Sequence, residues 1–239
     1  MAVAKRLVFP SKMQVEVEEF EIPDDPKPGE VIVENLCSLI SPGTELAMFT
    51  ETHIGFPIPD FTYASFPFRP GYATVGRAAK VGFGVDDIAE GDVIFTRNGH
   101  ESHTLVRTSR PIHKAPPGMA VQHVPFAALA QIALTAVRVT DTRLGFTAAV
   151  FGQGLIGNLA AQLLQRAGAL RVVGIDVMQH RLDLSAQCHI DSQINPAHTK
   201  DLDDMLDHLA HGAGFHIVVE ATGDPSVIPQ AVKTARERG

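Results

Sequence analysis

The sequence predicts an α/β protein in which a mostly antiparallel β domain precedes a domain built on a parallel sheet. In the first half, apolar and polar residues alternate in runs such as 13–18 and 30–35, and most of the sixteen prolines lie before residue 126. Such alternation is typical of half-buried strands, and the Pro/Gly clusters between the runs predict turns. From residue 126 onward, strand and helix patterns alternate, which indicates a parallel sheet covered by helices.

Further elements follow from the same patterns. Alternating segments at 73–81, 92–96 and 102–106 extend the β region, so residues 1–125 are expected to form a compact, partly open β-barrel. The run from Pro125 to Val137 is apolar nearly all round and predicts a buried helix. In residues 126–239 we expect strands near 147–151, 171–175, 192–194 and 215–220, and helices near 156–167, 179–187, 201–210 and 225–238.

The composition is that of an ordinary globular protein, with 45% hydrophobic and 20% charged residues. A formal charge of −7 argues against nucleic acid or an anionic membrane as the main partner. No apolar run approaches the ~20 residues that span a bilayer, and no secretion signal is visible at the N-terminus. The two distant cysteines, Cys37 and Cys188, fit a reducing compartment, so we expect a cytoplasmic location.

One glycine-rich motif is the most informative feature of the chain. A short apolar run ends in G-x-G-x-x-G, and a helical pattern starts directly afterwards. Glycines at this spacing allow a sharp strand-to-helix turn, close approach of a pyrophosphate, and tight packing of helix on strand. Main-chain N–H groups at the helix start then face the phosphates. The residues predicted to bind a dinucleotide are therefore Gly152, Gln153, Gly154, Leu155, Ile156 and Gly157, the alternative being a purely structural glycine turn.

A carboxylate at the end of the next strand agrees with this interpretation. Asp176 lies about 20 residues beyond the motif, where an acid can bind the ribose hydroxyls of an adenosine. Because a carboxylate repels a 2′-phosphate, Asp176 favours NAD over NADP; an ordinary turn acid is the alternative. Arg181 could cover the adenosine edge, or it could be a solvated helix residue.

The number of strands predicts a shortened domain. A complete dinucleotide fold has six strands, whereas the pattern in this chain gives four, those that form the adenosine-binding half. We therefore expect a fragment or a truncated gene product, with a natural short form completed by a partner as the alternative.

Several segments together resemble one family. The segments that carry the resemblance are 28–33, 69–71, 91–95, 152–157, Asp176 and 219–223. They are similar to the medium-chain dehydrogenase/reductase superfamily, which comprises the zinc alcohol dehydrogenases and their zinc-free relatives. The resemblance implies a GroES-like domain over 1–125 and an incomplete NAD-binding Rossmann domain over 126–239. It also implies an NAD(H) cofactor, a small alcohol or carbonyl substrate, and a homodimer when the protein has its full length.

The departures from the zinc enzymes concern the metal ligands. Where the resemblance places the three ligands, this chain has Ser41, Tyr72 and Gln131. Catalytic zinc takes three Cys, His or carboxylate ligands, and none of these positions supplies one. The chain is therefore interpreted as a zinc-free member without a metal site. The octapeptide 38–45 looks like a subgroup that includes bacteriochlorophyllide-type dehydrogenases.

Without a metal, hydrogen-bond donors must stabilise the developing alkoxide. Tyr72 is the first candidate, because the resemblance places a ligand of the reacting centre at this position, and its phenol could act as a general acid. Ser41 and Thr44, interpreted as hydroxyls at a strand end, could donate a hydrogen bond or relay a proton, or they could cap a turn. Thr222 and Thr135 are expected near the cofactor; a buried helical threonine is the alternative for Thr135.

The histidines give weaker indications. His100 and His103 flank residues 101–102 on a predicted hairpin and are interpreted as a surface pair, while His208 and His211 are placed on a solvated helix face. His53 lies in a loop that could cover the substrate.

The sequence thus predicts an NAD(H)-linked, zinc-free oxidoreductase that acts on an alcohol/carbonyl pair in a cleft between the two domains. An enoyl- or quinone-type reductase is one alternative, although such enzymes usually take NADPH, which Asp176 opposes. A non-catalytic dinucleotide-binding protein is the other.

Overall fold

A computed structural model describes residues 1–109 and 112–237 of the chain. The fold divides into two compact units, Met1–Ala128 and Leu129–Gly239. Each unit has its own sheet.

The first unit is built on antiparallel strands with one helix between them. In chain order its elements are β1 (Ala2–Val8), β2 (Glu16–Ile22), β3 (Glu30–Ser38), α1 (Pro42–Phe49), β4 (Thr74–Val81), β5 (Val93–Thr96), β6 (His103–Arg107) and β7 (His113–Lys114). The strands β1 and β2 form a pair, and the other five form a sheet in the order β6-β3-β4-β5-β7. Because β6 and β7 end this sheet, it is open, and alternate residues of β3 and its neighbours, such as Val31, Val33 and Ile94, form a buried cluster on one face.

The helix α1 corrects the interpretation of Ser41 and Thr44 as strand-end residues. Ser41 is the N-cap of α1, and Thr44 lies within its first turn. Pro42 occupies the first helical position, where its fixed φ suits the helix and its missing N–H would have no helical partner. Glu45 reaches back to the main chain of Ser41, a bond that resembles a capping box displaced by one position.

The second unit alternates strands and helices. Its elements, with the helix that leads into it, are α2 (Phe126–Val139), β8 (Thr147–Phe151), α3 (Leu155–Arg166), β9 (Arg171–Ile175), α4 (Gln179–Gln187), β10 (Ser192–Ile194), α5 (Leu202–Leu209), β11 (Ile217–Glu220) and α6 (Ile228–Thr234). All four strands are parallel, in the order β10-β9-β8-β11. The predicted α/β class with a parallel Rossmann-type sheet is confirmed.

Helices cover both faces of this parallel sheet. On one face, Ala148 and Val150 of β8 pack against Ala161 and Leu164 of α3. On the other, Phe151 of β8 belongs to a cluster completed by residues of α5 and α6. Because successive strand residues point to opposite faces, a strand covered on both sides is apolar throughout, and every residue of β8 is buried.

Three predicted details of this unit are wrong. The helix α2 is not buried all round: Ile132 is 45% exposed, and Ala127 and Thr135 are also exposed. The helix expected over 225–238 ends at Thr234, because Ala235 adopts an extended conformation and forms an isolated bridge with Phe215; residue 238 lies outside the described residues. The strand expected near 215–220 begins only at Ile217, and Phe215 before it is fully buried.

Within the part of the chain that the structure describes, no helix combines the length and the apolar character needed to cross a bilayer.

Candidate functional site

Close packing around the turn from β8 to α3 requires glycine at two of the three motif positions. Gly152 has φ +85°, and a Cβ there would lie 2.7 Å from the main chain of Ala221. A Cβ on Gly157 would lie 1.8 Å from the carbonyl oxygen of Gly152. Neither position tolerates a side chain, because the turn passes so close to α3 and to the segment after β11.

Gly154 is different. It is the N-cap of α3, with φ −67°, a value open to any residue, and a Cβ there would meet nothing within 4 Å. The protein itself therefore does not require glycine at this position. The open space lies beside the first N–H groups of α3, those of Leu155 and Ile156, which have no partner one turn earlier in the helix. This is the arrangement that a pyrophosphate needs in order to approach main-chain amides.

Asp176 follows β9 and points at the same turn. One carboxylate oxygen accepts a hydrogen bond of 2.7 Å from the main-chain N–H of Gln153, and the other accepts one of 2.8 Å from Met178. The guanidinium of Arg181 lies 3.4 Å from the first oxygen, and its side chain remains 46% exposed. The carboxylate is thus fixed against the glycine turn, and the oxygen bonded to Met178 retains acceptor capacity.

Gln153 differs in role from the other motif residues. Its side chain is buried, donates to the carbonyl of Val150 over 3.0 Å, and accepts from the Ser185 hydroxyl over 3.0 Å. Its main-chain N–H is already bonded to Asp176. Gln153 therefore shapes the turn, and its side chain does not face the open space at Gly154.

The two threonines expected near a cofactor are placed differently. Thr222 follows β11, beside the glycine turn: a Cβ on Gly152 would lie 2.8 Å from its main-chain nitrogen. Its hydroxyl donates to the Glu220 carboxylate and accepts from the main-chain N–H of Asp224. Thr135 is exposed on α2, so the alternative of a buried helical threonine is wrong.

The first unit contains a second group of polar residues. The phenol of Tyr72 donates a hydrogen bond of 2.6 Å to the hydroxyl of Ser41. Two of the candidate residues are therefore in contact, although they lie 31 positions apart. Thr44 takes no part in the described hydrogen bonds of this group.

Two further residues of this group were missed by the sequence interpretation. Glu45 and His100 are 5% and 8% exposed, and Glu45 Oε2 lies 2.9 Å from His100 Nε2. Glu45 Oε1 accepts from the Ser41 main-chain N–H over 2.9 Å, and His100 Nδ1 lies 2.7 Å from the Ser38 hydroxyl. The interpretation of His100 as a surface residue is wrong, because its ring is bonded on both sides inside the unit. We call Ser38, Ser41, Glu45, Tyr72 and His100 the polar cluster.

Tyr63 is the aromatic neighbour of this polar cluster. Burial, and then the negative charges that Tyr72 and Glu45 can carry, raise the pKa of the Tyr63 phenol above its ordinary value. The Tyr63 ring contacts the rings of His53 and Phe61 with centroid distances of 5.9 and 6.2 Å. The loop that carries His53 thus contributes to an aromatic group that includes Phe61 and Tyr63.

Ser41 and Tyr72 of the polar cluster stand at positions where the resemblance places ligands of a catalytic zinc. Ser41 and Tyr72 offer hydroxyls, and Glu45 and His100 are bonded to each other. In the described ranges, no group of three or more His, Cys, Asp or Glu residues could hold a metal ion.

Comparisons with known proteins agree with this architecture. Residues 156–239 match the family model described as zinc-binding dehydrogenase. The D-guloside 3-dehydrogenase of Escherichia coli is 30% identical over 169 residues, which are 70% of this chain and 48% of that protein. The erythritol/L-threitol dehydrogenase of Mycolicibacterium smegmatis is 30% identical over 54% of this chain and 35% of its own length. The chain thus spans less than half of these two relatives.

Solved structures share the fold over the whole chain. A zinc-binding dehydrogenase from Sinorhizobium meliloti, determined with NADP bound, has a TM-score of 0.82 at 20% identity, covering 100% of this chain and 75% of that one. The 2R,3R-butanediol dehydrogenase of Bacillus subtilis has a TM-score of 0.80 at 22% identity, covering 98% and 74%. Residues 156–239 thus match the zinc-binding dehydrogenase family, and the chain as a whole has the fold of the medium-chain dehydrogenases/reductases.

Proposed function

We propose that this chain carries the dinucleotide-binding and proton-handling groups of an NAD(H)-dependent oxidoreductase that interconverts an alcohol and a carbonyl without catalytic zinc. The observation that carries the proposal is the open space at Gly154, beside the start of α3. In a strand-to-helix turn of a parallel sheet, a glycine that the protein does not need for its own packing is explained by a ligand that approaches the main chain. The relatives named as dehydrogenases support the reaction class.

The second unit provides the groups that would hold the cofactor. The N–H groups at the start of α3 would bind the pyrophosphate, and Asp176 would accept hydrogen bonds from the adenosine ribose. Arg181 and Thr222 lie at the edges of the same region. When bound, the nicotinamide supplies or accepts the hydride.

The preference for NAD over NADP rests on Asp176. Its carboxylate is held against the glycine turn by two main-chain N–H groups, so it cannot turn away from a 2′-phosphate without breaking both bonds. The Sinorhizobium meliloti structure was determined with NADP. For this chain, the repulsion between Asp176 and an added phosphate favours NAD.

The polar cluster would handle the proton. When the Ser41 hydroxyl turns to donate to the phenol oxygen, the Tyr72 O–H is released to donate to the oxygen of a carbonyl while it is reduced; in the reverse direction Tyr72 accepts a proton from an alcohol and passes its own to Ser41. Its hydrogen bond to Ser41 fixes the direction of the phenol. Ser41 and Tyr72 are not zinc ligands, so the stabilisation of the developing alkoxide is assigned to hydrogen-bond donors and not to a Lewis acid.

The names of the relatives indicate the substrate class. D-guloside 3-dehydrogenase, erythritol/L-threitol dehydrogenase and (R,R)-butanediol dehydrogenase are all named for hydroxyl-bearing compounds. We therefore place a small polyol or sugar hydroxyl ahead of the alternative, an enoyl or quinone substrate. A homodimer and a cytoplasmic location belong to the same proposal.

Calorimetry tests the cofactor assignment. Gly154→Val should weaken NADH binding more than about tenfold, because the added side chain fills the space for the pyrophosphate. Gly43→Val is the matched control, since Gly43 also has open space around it and lies in the other unit. Equal NADH affinity in wild type and Gly154→Val would refute the site.

A further comparison separates an enzyme from a non-catalytic nucleotide-binding protein. An oxidoreductase should bind NADH more tightly than ADP-ribose and should turn over polyols with NAD. If the two ligands bind equally and a polyol screen with the longest natural form of the protein gives no turnover, the non-catalytic alternative is correct.

A further inference from the structure

Glu45 and His100 form a buried pair that contacts two segments of the chain, the one that carries Ser41 and the one that leads into Tyr72. We propose that this pair is a positioning device: it holds the main chain of Ser41, and through the Ser41 hydroxyl it sets the direction of the Tyr72 phenol. Its significance for catalysis rests on the proposed function, but the positioning itself can be tested without turnover.

The contacts of Glu45 make the link to Ser41. Glu45 Oε1 accepts from the Ser41 N–H over 2.9 Å, and Glu45 Oε2 lies 2.9 Å from His100 Nε2. A carboxylate that is only 5% exposed must be hydrogen-bonded to be tolerated. Both oxygens have such partners, so the side chain is fixed, and with it the main chain at the start of α1.

The contacts of His100 make the link to Tyr72. Its ring lies between Glu45 and Ser38, with Nδ1 2.7 Å from the Ser38 hydroxyl. Its main-chain N–H donates to the carbonyl of Pro70 over 3.0 Å, and a Cβ on Gly71 would lie 2.6 Å from its nitrogen. The segment that leads into Tyr72 therefore packs directly on the main chain of His100, while the ring supports α1.

Glu45 and His100 act on the Tyr72 phenol indirectly. In the described hydrogen bonds Tyr72 Oη is bonded to Ser41 and not to either of them, so their role is one of positioning. Stability alone is a poor explanation for the pair, since buried polar pairs can often be replaced by well-packed apolar residues without loss of stability. A pair that joins two segments at a candidate reacting centre is better explained by the orientation it imposes.

The composition of the chain provides a direct probe. It contains two tyrosines, Tyr63 and Tyr72, and no tryptophan. With tyrosine carbon-13-labelled at Cζ, the protein gives two NMR signals, and Tyr63→Phe assigns the one from Tyr72. The Cζ shift responds to the hydrogen bond of the phenol, so it reports the contact with Ser41.

The test variants are Glu45→Ala, which removes the acceptor for Ser41, and Glu45→Gln, which keeps an acceptor of the same size. We expect Glu45→Ala to move the Tyr72 signal to the position found in Ser41→Ala, and Glu45→Gln to restore it. Glu51→Ala is the matched control, because Glu51 follows the same helix but is largely exposed, with Lys12 as its ion-pair partner. If Glu45→Ala fails to fold, His100→Asn removes the same support, with His103→Asn as its control.

The outcomes are distinct. An unchanged Tyr72 signal in folded Glu45→Ala or His100→Asn overturns the proposal. A moved signal supports it, and in an active protein kcat should fall at least about tenfold while NADH affinity stays constant. If the Tyr72 signal moves but the protein shows no NAD-linked turnover, the positioning role of the pair is still supported. The missing turnover then counts only against the proposed oxidoreductase reaction.

Discussion

The phenol of Tyr72 and the hydroxyl of Ser41 share a hydrogen bond of 2.6 Å. Tyr72 lies just before β4, whereas Ser41 caps α1, so the contact joins two elements that are separate in the sequence. A short bond between two hydroxyls at the candidate reacting centre gives the phenol a defined direction. The first prediction follows from this contact.

Replacing Tyr72 by Phe should reduce kcat at least about tenfold, because general acid–base catalysis by a positioned group contributes about 10²–10⁴-fold. The ring remains, so the fold and NADH affinity should be unchanged. Steady-state kinetics and a thermal melt measure both effects. Wild-type turnover in Tyr72→Phe would exclude the phenol from the mechanism.

Asp176→Asn should weaken NADH binding and narrow the preference for NADH over NADPH. The amide removes the charge that repels a 2′-phosphate, and it presents a donor to one of the two N–H groups that the carboxylate accepts. Such a mismatch costs about 1–3 kcal/mol, so the melting temperature should also fall. Calorimetry with both dinucleotides measures the preference. Asp183→Asn, an exposed substitution on α4, should leave it unaltered.

Gly157→Ala should destabilise the second unit. An alanine Cβ would lie 1.8 Å from the carbonyl oxygen of Gly152, so the start of α3 must move away from β8. Gly154→Ala has no such contact and should melt close to the wild-type temperature. Chemical denaturation of the two variants side by side provides the measurement, and equal stability would contradict the packing described for the turn.

The pKa of Tyr63 should report the charge of Glu45. Burial, and then the charges of Tyr72 and Glu45, raise this pKa above 10.0, so Glu45→Gln should lower it. In a Tyr72→Phe background Tyr63 is the sole tyrosine, and its ionisation can be followed by near-ultraviolet absorbance. Glu51→Gln should have no effect.

The same shift has a consequence for stability. An acid whose pKa is raised by folding retains its proton in the native state at a pH at which the unfolded chain has lost it. The contribution of Tyr63 is therefore fully present below pH 10.0 and is lost as the pH rises further. Denaturant midpoints measured on both sides of this pH should show a smaller alkaline loss when Tyr63 is replaced by Phe.

The second unit could be predicted closely from the sequence because its signals are local. The strand before Gly152, the helix after Gly154 and the acid at Asp176 follow one another along the chain, so spacing is sufficient. The exposed face of α2 could not be predicted, because apolar character does not reveal how many neighbours a helix has. The helix α6 ends earlier than predicted because Ala235 forms a bridge with Phe215. This bridge is a tertiary contact, which local sequence does not reveal.

The polar cluster of the first unit was predicted only in part. The resemblance to a known family indicated Tyr72 and Ser41, but Glu45 and His100 were missed. A signal for α1 was present, since a serine followed by proline and then an acid is typical of a helix start. The pairing of Glu45 with His100 joins residues 55 positions apart and depends on the fold of the sheet.

The side chain of Gln153 fills the space that a side chain at position 174 would need. A Cβ on Gly174 would lie 2.8 Å from the Gln153 amide carbon and 3.0 Å from the Ser185 hydroxyl. The Gln153 amide thus packs between β9 and α4. A change at Gln153, Gly174 or Ser185 therefore requires compensating changes at the other two positions. Libraries that alter this turn should therefore randomise 153, 174 and 185 as a single combinatorial set.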